Sequence, residues 1–109
     1  MILASIRMKI PREKRHGALK ILESIAGQNK GYSGCLGSHI YEDALENNII
    51  VFEEIWRSEE DLERHLRSEE YRNVLLVMEM ALKNPEVRFS KVSTSTGIET
   101  IEKARSTTR

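Results

Sequence analysis

The run Ile49-Ile50-Val51-Phe52-Glu53-Glu54-Ile55-Trp56 constrains the fold more than any other stretch of the chain. It is apolar, β-branched and aromatic, which favours a strand. Alternation puts Ile49, Val51, Glu53 and Ile55 on one side and Ile50, Phe52, Glu54 and Trp56 on the other. Both sides are mostly apolar, so both are expected to be covered. Each side also carries a carboxylate, and a buried carboxylate needs a partner. A helix follows at once. Ser58 reads as its N-cap, with Asp61 at capping-box spacing. Glu59, Glu60 and Asp61 suit the positive end of the helix dipole. Leu62, His65 and Leu66 share one helical face at i, i+3 and i+4, which points His65 toward whatever covers the strand.

The elements around this unit follow from periodicity. Ile2, Ala4, Ile6, Met8 and Ile10 alternate with Ser5, Arg7 and Lys9, a strand with one clearly apolar face. Pro11 ends it and opens a helix over Arg12 to Ala26, with Leu19, Leu22, Ile25 and Ala26 as the buried stripe and Gly27 as C-cap. Glycines 27, 31, 34 and 37 follow this helix and precede a strand. That is the reverse of the order a phosphate-cradling loop needs, so they read as cap and turn residues. Cys35 to Glu42 forms the next strand, with Cys35, Gly37, His39 and Tyr41 on one face. The short polar link Asp43 to Asn48 makes it an antiparallel neighbour of Ile49–Trp56. Ser68 reads as a second helix cap, ahead of the stripe Tyr71, Val74, Leu75, Met78 and Leu82. Leu76, Val77, Met80 and Ala81 widen that stripe almost all round, which implies burial on more than one side, against a cavity or a partner chain. Asn84-Pro85 breaks this helix. A fourth strand alternates from Val87 to Thr94, Gly97 punctuates, and Ile98 to Arg105 forms a short terminal helix. The last four residues are expected to be disordered.

The order β-α-β-β-α-β is the ferredoxin-like arrangement, an α+β class with a four-stranded antiparallel sheet and both helices on one face. The domain is expected to span residues 1–96, with 97–109 as a C-terminal tail. The other sheet face is expected to be bare and apolar, so two sheets packed face to face would form a homodimer.

Composition narrows the function classes. At 109 residues the chain is a single domain. Formal net charge is zero, which argues against a nucleic-acid partner. The charges at Arg12 to Arg15 read as a solvated helix face. The N-terminal stretch is interrupted by Arg7 and Lys9, so it is neither a signal peptide nor a membrane span. Cys35 is the single cysteine, which fits a cytoplasmic protein and excludes an internal disulfide.

Gly34-Cys35-Leu36, Glu54-Ile55-Trp56, Ser58, His65-Leu66, Ser68 and Tyr71, together with the element order over residues 1–95, resemble the antibiotic biosynthesis monooxygenase domain proteins. That group is a dimeric α/β barrel fold that includes small quinol monooxygenases. The resemblance implies an oxygenase that needs no cofactor and acts on an electron-rich aromatic such as a quinol or anthrone. Substrate and O2 then react directly, in a dry pocket with a proton acceptor. His65 would fill the catalytic role as base. Phe52, Trp56, Tyr71 and Met78, with His39 on its strand face, would bind the substrate. Heme-degrading relatives need an axial His further along the second helix and an Asn on the first strand. Leu75, Leu76 and Val77 occupy that helix, and the first strand has no Asn, so heme degradation is not expected.

Each residue also has a plainer reading. His65 could be a half-buried His bonded across the helix–sheet junction, and Trp56, Tyr71 and Met78 could be core. His39 could be structural, and His16 is expected to be solvent-exposed. Asp61, His65 and Glu69 share a stripe on an unbroken helix, but ion pairs at that spacing are commonplace and no metal site is expected. Cys35 has no identifiable base beside it and is not a candidate nucleophile. The alternative function is a non-catalytic, small-ligand-binding or stress-associated dimer of the same fold.

Overall fold

The computed structural model describes residues 1–106. The elements are β1 (Ile2–Lys9), α1 (Arg12–Asn29), β2 (Cys35–Glu42), β3 (Ile49–Trp56), α2 (Glu59–Leu66), α3 (Tyr71–Glu79), β4 (Glu86–Lys91) and α4 (Ile98–Ser106). The four strands form one antiparallel sheet in the order β2-β3-β1-β4, the ferredoxin-like α+β arrangement.

Strand register decides which side chains meet. On the helix-covered face, Cys35, Trp56, Ile2 and Lys91 form one row across the sheet. Ser38, Glu54, Ala4 and Phe89 form the next, and Ile40, Phe52, Ile6 and Val87 a third. The period-2 pattern of β1 is thereby fully used, because Ile2, Ala4, Ile6 and Met8 are all buried. The core joins Ile6, Met8, Ile10, Ile50 and Phe52 to Ala18, Leu22 and Ile25 of α1 and to Tyr71, Val74 and Val77 of α3. A smaller cluster of Ile2, Trp56 and Leu62, with Cys35 against it, lies under α2.

Several sequence expectations change. The uncovered sheet face is mixed rather than apolar. Its rows are Gly37–Ile55–Leu3–Ser90, His39–Glu53–Ser5–Arg88 and Tyr41–Val51–Arg7–Glu86. The reason is the alternation of β1 itself, whose apolar side is already spent under the helices. Helix α1 runs through Gly27 to Asn29, and Lys30, not Gly27, is its C-cap. A bulge between Cys35 and Gly37 turns Cys35 to the helix-covered face beside Trp56. Ser68 does not cap α3; its hydroxyl donates to the His65 carbonyl at 2.7 Å and closes the end of α2. Strand β4 ends at Lys91, earlier than the alternation suggested.

Leu75, Leu76 and Leu82 around α3, and Val87 and Phe89 on β4, are exposed. So are all residues of α4, the expected short terminal helix. Ser106 of the expected disordered end closes that helix, and 107–109 lie outside the described residues. Among the described residues no helix is long and apolar enough to cross a membrane.

Candidate functional site

The candidate site lies at the end of the sheet where β3 finishes and α2 begins. Ser58 caps α2 as the sequence suggested, its hydroxyl oxygen accepting from the Asp61 backbone N–H at 3.2 Å. The hydroxyl also donates to Asp61 Oδ2 at 2.9 Å. Arg57 donates to the same oxygen at 3.0 Å, and Arg64 donates to Oδ1 at 2.9 Å. The Ser58 hydroxyl and the two guanidinium groups hold Asp61 below the usual carboxylate range. The carboxylate lies against Gly34, which has φ +126; a Cβ there would fall 2.4 Å from Asp61 Cγ. The Gly34 carbonyl accepts from Arg57 N–H at 2.8 Å. This clamp joins the loop before β2 to the start of α2 and sets the direction of that helix.

The cap and clamp carry His65 inward. His65 Nε2 lies 2.8 Å from Glu54 Oε2, and the two side chains are only 2% and 4% exposed. Asn29 Nδ2 donates to the same Glu54 oxygen at 2.6 Å and to Ser38 Oγ at 3.2 Å. The buried carboxylate anticipated from the sequence thus has two partners. A carboxylate oxygen only accepts, so Nε2 carries a hydrogen whether the imidazole is neutral or charged. The neutral ring then has its lone pair on Nδ1, which is buried and has no hydrogen-bond partner among the described residues.

Aromatic rings enclose the imidazole. Trp56 stacks on it with centroids 4.6 Å apart, Tyr71 meets it edge-on at 5.2 Å, and Tyr32 lies 5.9 Å away. Burial, and secondarily the Glu54 charge, push the Tyr71 phenol up to about 12, so it stays protonated near neutrality. Burial and the nearby Glu70 carboxylate also raise Tyr32. A cavity of about 480 Å³ opens beside these rings, lined by Tyr32, Trp56, His65, Arg64, Ser68 and Glu70 among others. Tyr32, Trp56 and His65 give it aromatic walls and Arg64, Ser68 and Glu70 polar groups, a lining that suits a small planar molecule.

The structure brings together His65, Trp56 and Tyr71 from the residues singled out in the sequence. Tyr71 supports the imidazole from behind and does not line the cavity. Phe52 is 1% exposed in the main core, and Met78 packs against that core; neither reaches the cavity. His39 lies on the opposite sheet face, in the row with Glu53 and with its ring 6.0 Å from Tyr41. His16 is exposed on α1. Glu69 falls beyond the end of α2 and pairs with Arg72, so the Asp61, His65 and Glu69 stripe does not form. Among the described residues no group of three or more His, Cys, Asp or Glu side chains could hold a metal ion.

Sequence reasoning missed Asn29, Tyr32, Arg64, Ser68 and Glu70. Asn29 had a signal: it continues the stripe Ala18, Leu22, Ile25 as a buried polar residue on an apolar face. Tyr32 had none, because its loop position follows only from the fold.

The fold and this site define a small α+β domain with a histidine-bearing cavity between helix and sheet. The family model for antibiotic biosynthesis monooxygenases matches residues 1–75, and the chain belongs to that family. Among solved structures it is similar to a conserved protein from Methanosarcina mazei, at TM-score 0.78 and 20% identity over 84% of this chain and 92% of that one. Rv0793 from Mycobacterium tuberculosis matches at TM-score 0.78 and 20% identity, over 88% of this chain and 98% of that one. An antibiotic biosynthesis monooxygenase matches at 0.76 and 19%, over 86% and 100%. At these identities the likeness is one of fold. An uncharacterized protein of Synechocystis is 24% identical over 67 residues, which span 62% of this chain and 46% of that protein.

Proposed function

We propose that the chain is a cofactor-independent monooxygenase that oxidises a small, electron-rich aromatic such as a quinol or anthrone with O2. One observation carries this reading: a buried imidazole held 2.8 Å from a buried carboxylate, at the wall of a cavity that it shares with Trp56. In this mechanism the substrate ring lies against Trp56 and Tyr32. His65 Nδ1 takes the phenolic proton, and the Glu54 carboxylate stabilises the imidazolium that results. The electron-rich anion then reacts with O2. One oxygen atom stays on the product and the other leaves as water, with the substrate supplying the electrons. The aromatic wall of Trp56 and Tyr32 shields one side of the anion from bulk water. His65 is the catalytic residue and Trp56 contacts the substrate, while Tyr71, Glu54 and Asn29 position the imidazole.

Oxygen uptake with a panel of quinols and anthrones, without added metal or flavin, tests this. Uptake above the uncatalysed rate supports the reading. The competing reading is a non-catalytic, ligand-binding or stress-associated protein. It draws on the near-complete burial of His65 and Trp56, at 4% and 2% exposed, which suits packing as well as chemistry. Binding without oxygen uptake favours it.

We infer that the protein works as a cytoplasmic homodimer. What supports the dimer is the half-buried Leu3, Val51 and Ile55 on the uncovered sheet face, among polar neighbours, and the exposed Val87 and Phe89 of the edge strand β4.

A further inference from the structure

The cavity beside His65 has one permanent cation in its wall. Asp61, Arg64 and His65 stand at i, i+3 and i+4 on α2, so helical geometry turns them to one side, and all three line the cavity. No other Lys or Arg does so among the described residues. The guanidinium is placed by its partner: Arg64 Nη1 donates to Asp61 Oδ1 at 2.9 Å. That is the one hydrogen bond Arg64 makes among the described residues, and a guanidinium carries five N–H donors in a planar fork. Its side chain is 72% exposed, so the head group has room to turn. Asp61 does not hold it back. Arg57 Nε and Nη2 donate to Asp61 Oδ2 at 3.2 and 3.0 Å, and the Ser58 hydroxyl adds a bond at 2.9 Å. The carboxylate therefore stays paired when Arg64 swings toward a ligand.

The rest of the lining disfavours negative charge. Aromatic rings solvate an anion poorly, and the Asp61 and Glu70 carboxylates repel one. Glu70 is charged near neutrality: its own backbone N–H, then the Ser68 hydroxyl and the Tyr32 phenol, hold it below the usual carboxylate range. A quinol or anthrone nevertheless has to ionise in this cavity before it reacts with O2, so its anion needs a cation. We propose that Arg64 is the anion-binding residue of the site: its guanidinium pairs with the phenolate oxygen, and the cavity takes the ionised aromatic in preference to the neutral phenol. Arg64 neither gives nor takes a proton. The O–H bond breaks, the proton leaves, and the charge stays on the oxygen that faces the guanidinium. The inference rests on the reading that this cavity is the substrate site, and it holds whether or not oxygen transfer follows.

The probe is 4-nitrophenol, a phenol too electron-poor to react with O2, whose absorbance distinguishes the ionised form from the neutral one. Titrating the protein-bound dye with pH gives the affinity ratio of its two forms. The expected result for the wild type is ionisation at lower pH than the free dye, equivalent to about 10-fold tighter binding of the phenolate. Arg64→Gln is expected to abolish this preference and Arg64→Lys to keep part of it. Arg67→Gln removes the same charge from the end of α2, outside the cavity lining, and is expected to leave the preference unchanged. No binding by the wild type, equal affinity for the two forms, or a preference that survives Arg64→Gln would overturn the proposal. So would an equal loss in Arg67→Gln, which would assign the effect to net charge. The quinol and anthrone panel separates the two ideas. Phenolate preference without oxygen uptake from the panel upholds this inference and defeats the oxygenase reading; uptake with no phenolate preference does the reverse.

Discussion

His65 Nε2 sits 2.8 Å from Glu54 Oε2, and the pair joins α2 to β3 beneath the ring of Trp56. This contact ties folding to chemistry. Removing His65 leaves Glu54 buried with Asn29 as its other partner, and breaking a buried pair in this way costs about 3–5 kcal/mol. His65→Ala is therefore expected to lose stability along with activity, and cannot distinguish the two roles. His65→Gln retains an N–H donor for Glu54 and removes the basic nitrogen. It is expected to melt closer to wild type than His65→Ala, as read by thermal unfolding.

Trp56 fills the space between Ile2, Leu62 and Cys35. Trp56→Ala is expected to cost about 3–5 kcal/mol, the range for emptying a buried aromatic site. Chemical denaturation measures this directly. A loss below about 1 kcal/mol would show that the ring packs more loosely than its 2% exposure implies.

Gly34 combines positive φ with contact against the Asp61 carboxylate, so a methyl group there meets both strain and overlap. Gly34→Ala is expected to destabilise by more than the roughly 1–3 kcal/mol that a sparsely populated backbone conformation costs alone. Gly27 has open space within 4 Å and lies inside α1, so Gly27→Ala is expected to stabilise the protein, by up to about 1 kcal/mol. The pair of variants compared by melting temperature checks the account of the loop.

Tyr71 predicts the alkaline behaviour. Its folded pKa is raised to about 12 from the ordinary 10.0, so the folded state favours the neutral phenol. That contribution is fully present below pH 10 and is lost as pH rises through about 12, because the unfolded chain ionises first. Unfolding free energy measured between pH 9 and about 12 is expected to fall, and Tyr71→Phe is expected to flatten the fall. An identical decline in the variant would assign it to other groups.

A homodimer is expected to bury more than roughly 1,600 Å² in total. Sedimentation at micromolar concentration checks it, and a monomer there would overturn the inferred assembly.

The fold was legible because its signals are local. Alternation in β1 and β3, the Ser58 cap and the leucine spacing around His65 each specify an element, and short links fix the pairing of β2 with β3. The partner of Glu54 was not legible, since Asn29, Glu54 and His65 lie on three elements whose packing no spacing encodes. The wrong expectation of an apolar open face came from reading β3 alone; β1, beside it, places Ser5 and Arg7 on that side. Phe52 and Met78 look like pocket residues by composition, but the same chemistry suits the core, and only packing decides between them. The bulge at Leu36 displaced Cys35 for a similar reason, because a single extra residue inverts the facing of everything before it.

The most direct test of the central claim is oxygen consumption by flavin-free, chelator-treated protein supplied with a quinol, wild type against His65→Gln. The account predicts uptake by the wild type, with the variant slower by about 10²–10⁴ while still folded. Equal rates in the two proteins, or no uptake by the wild type with any quinol or anthrone, would contradict it.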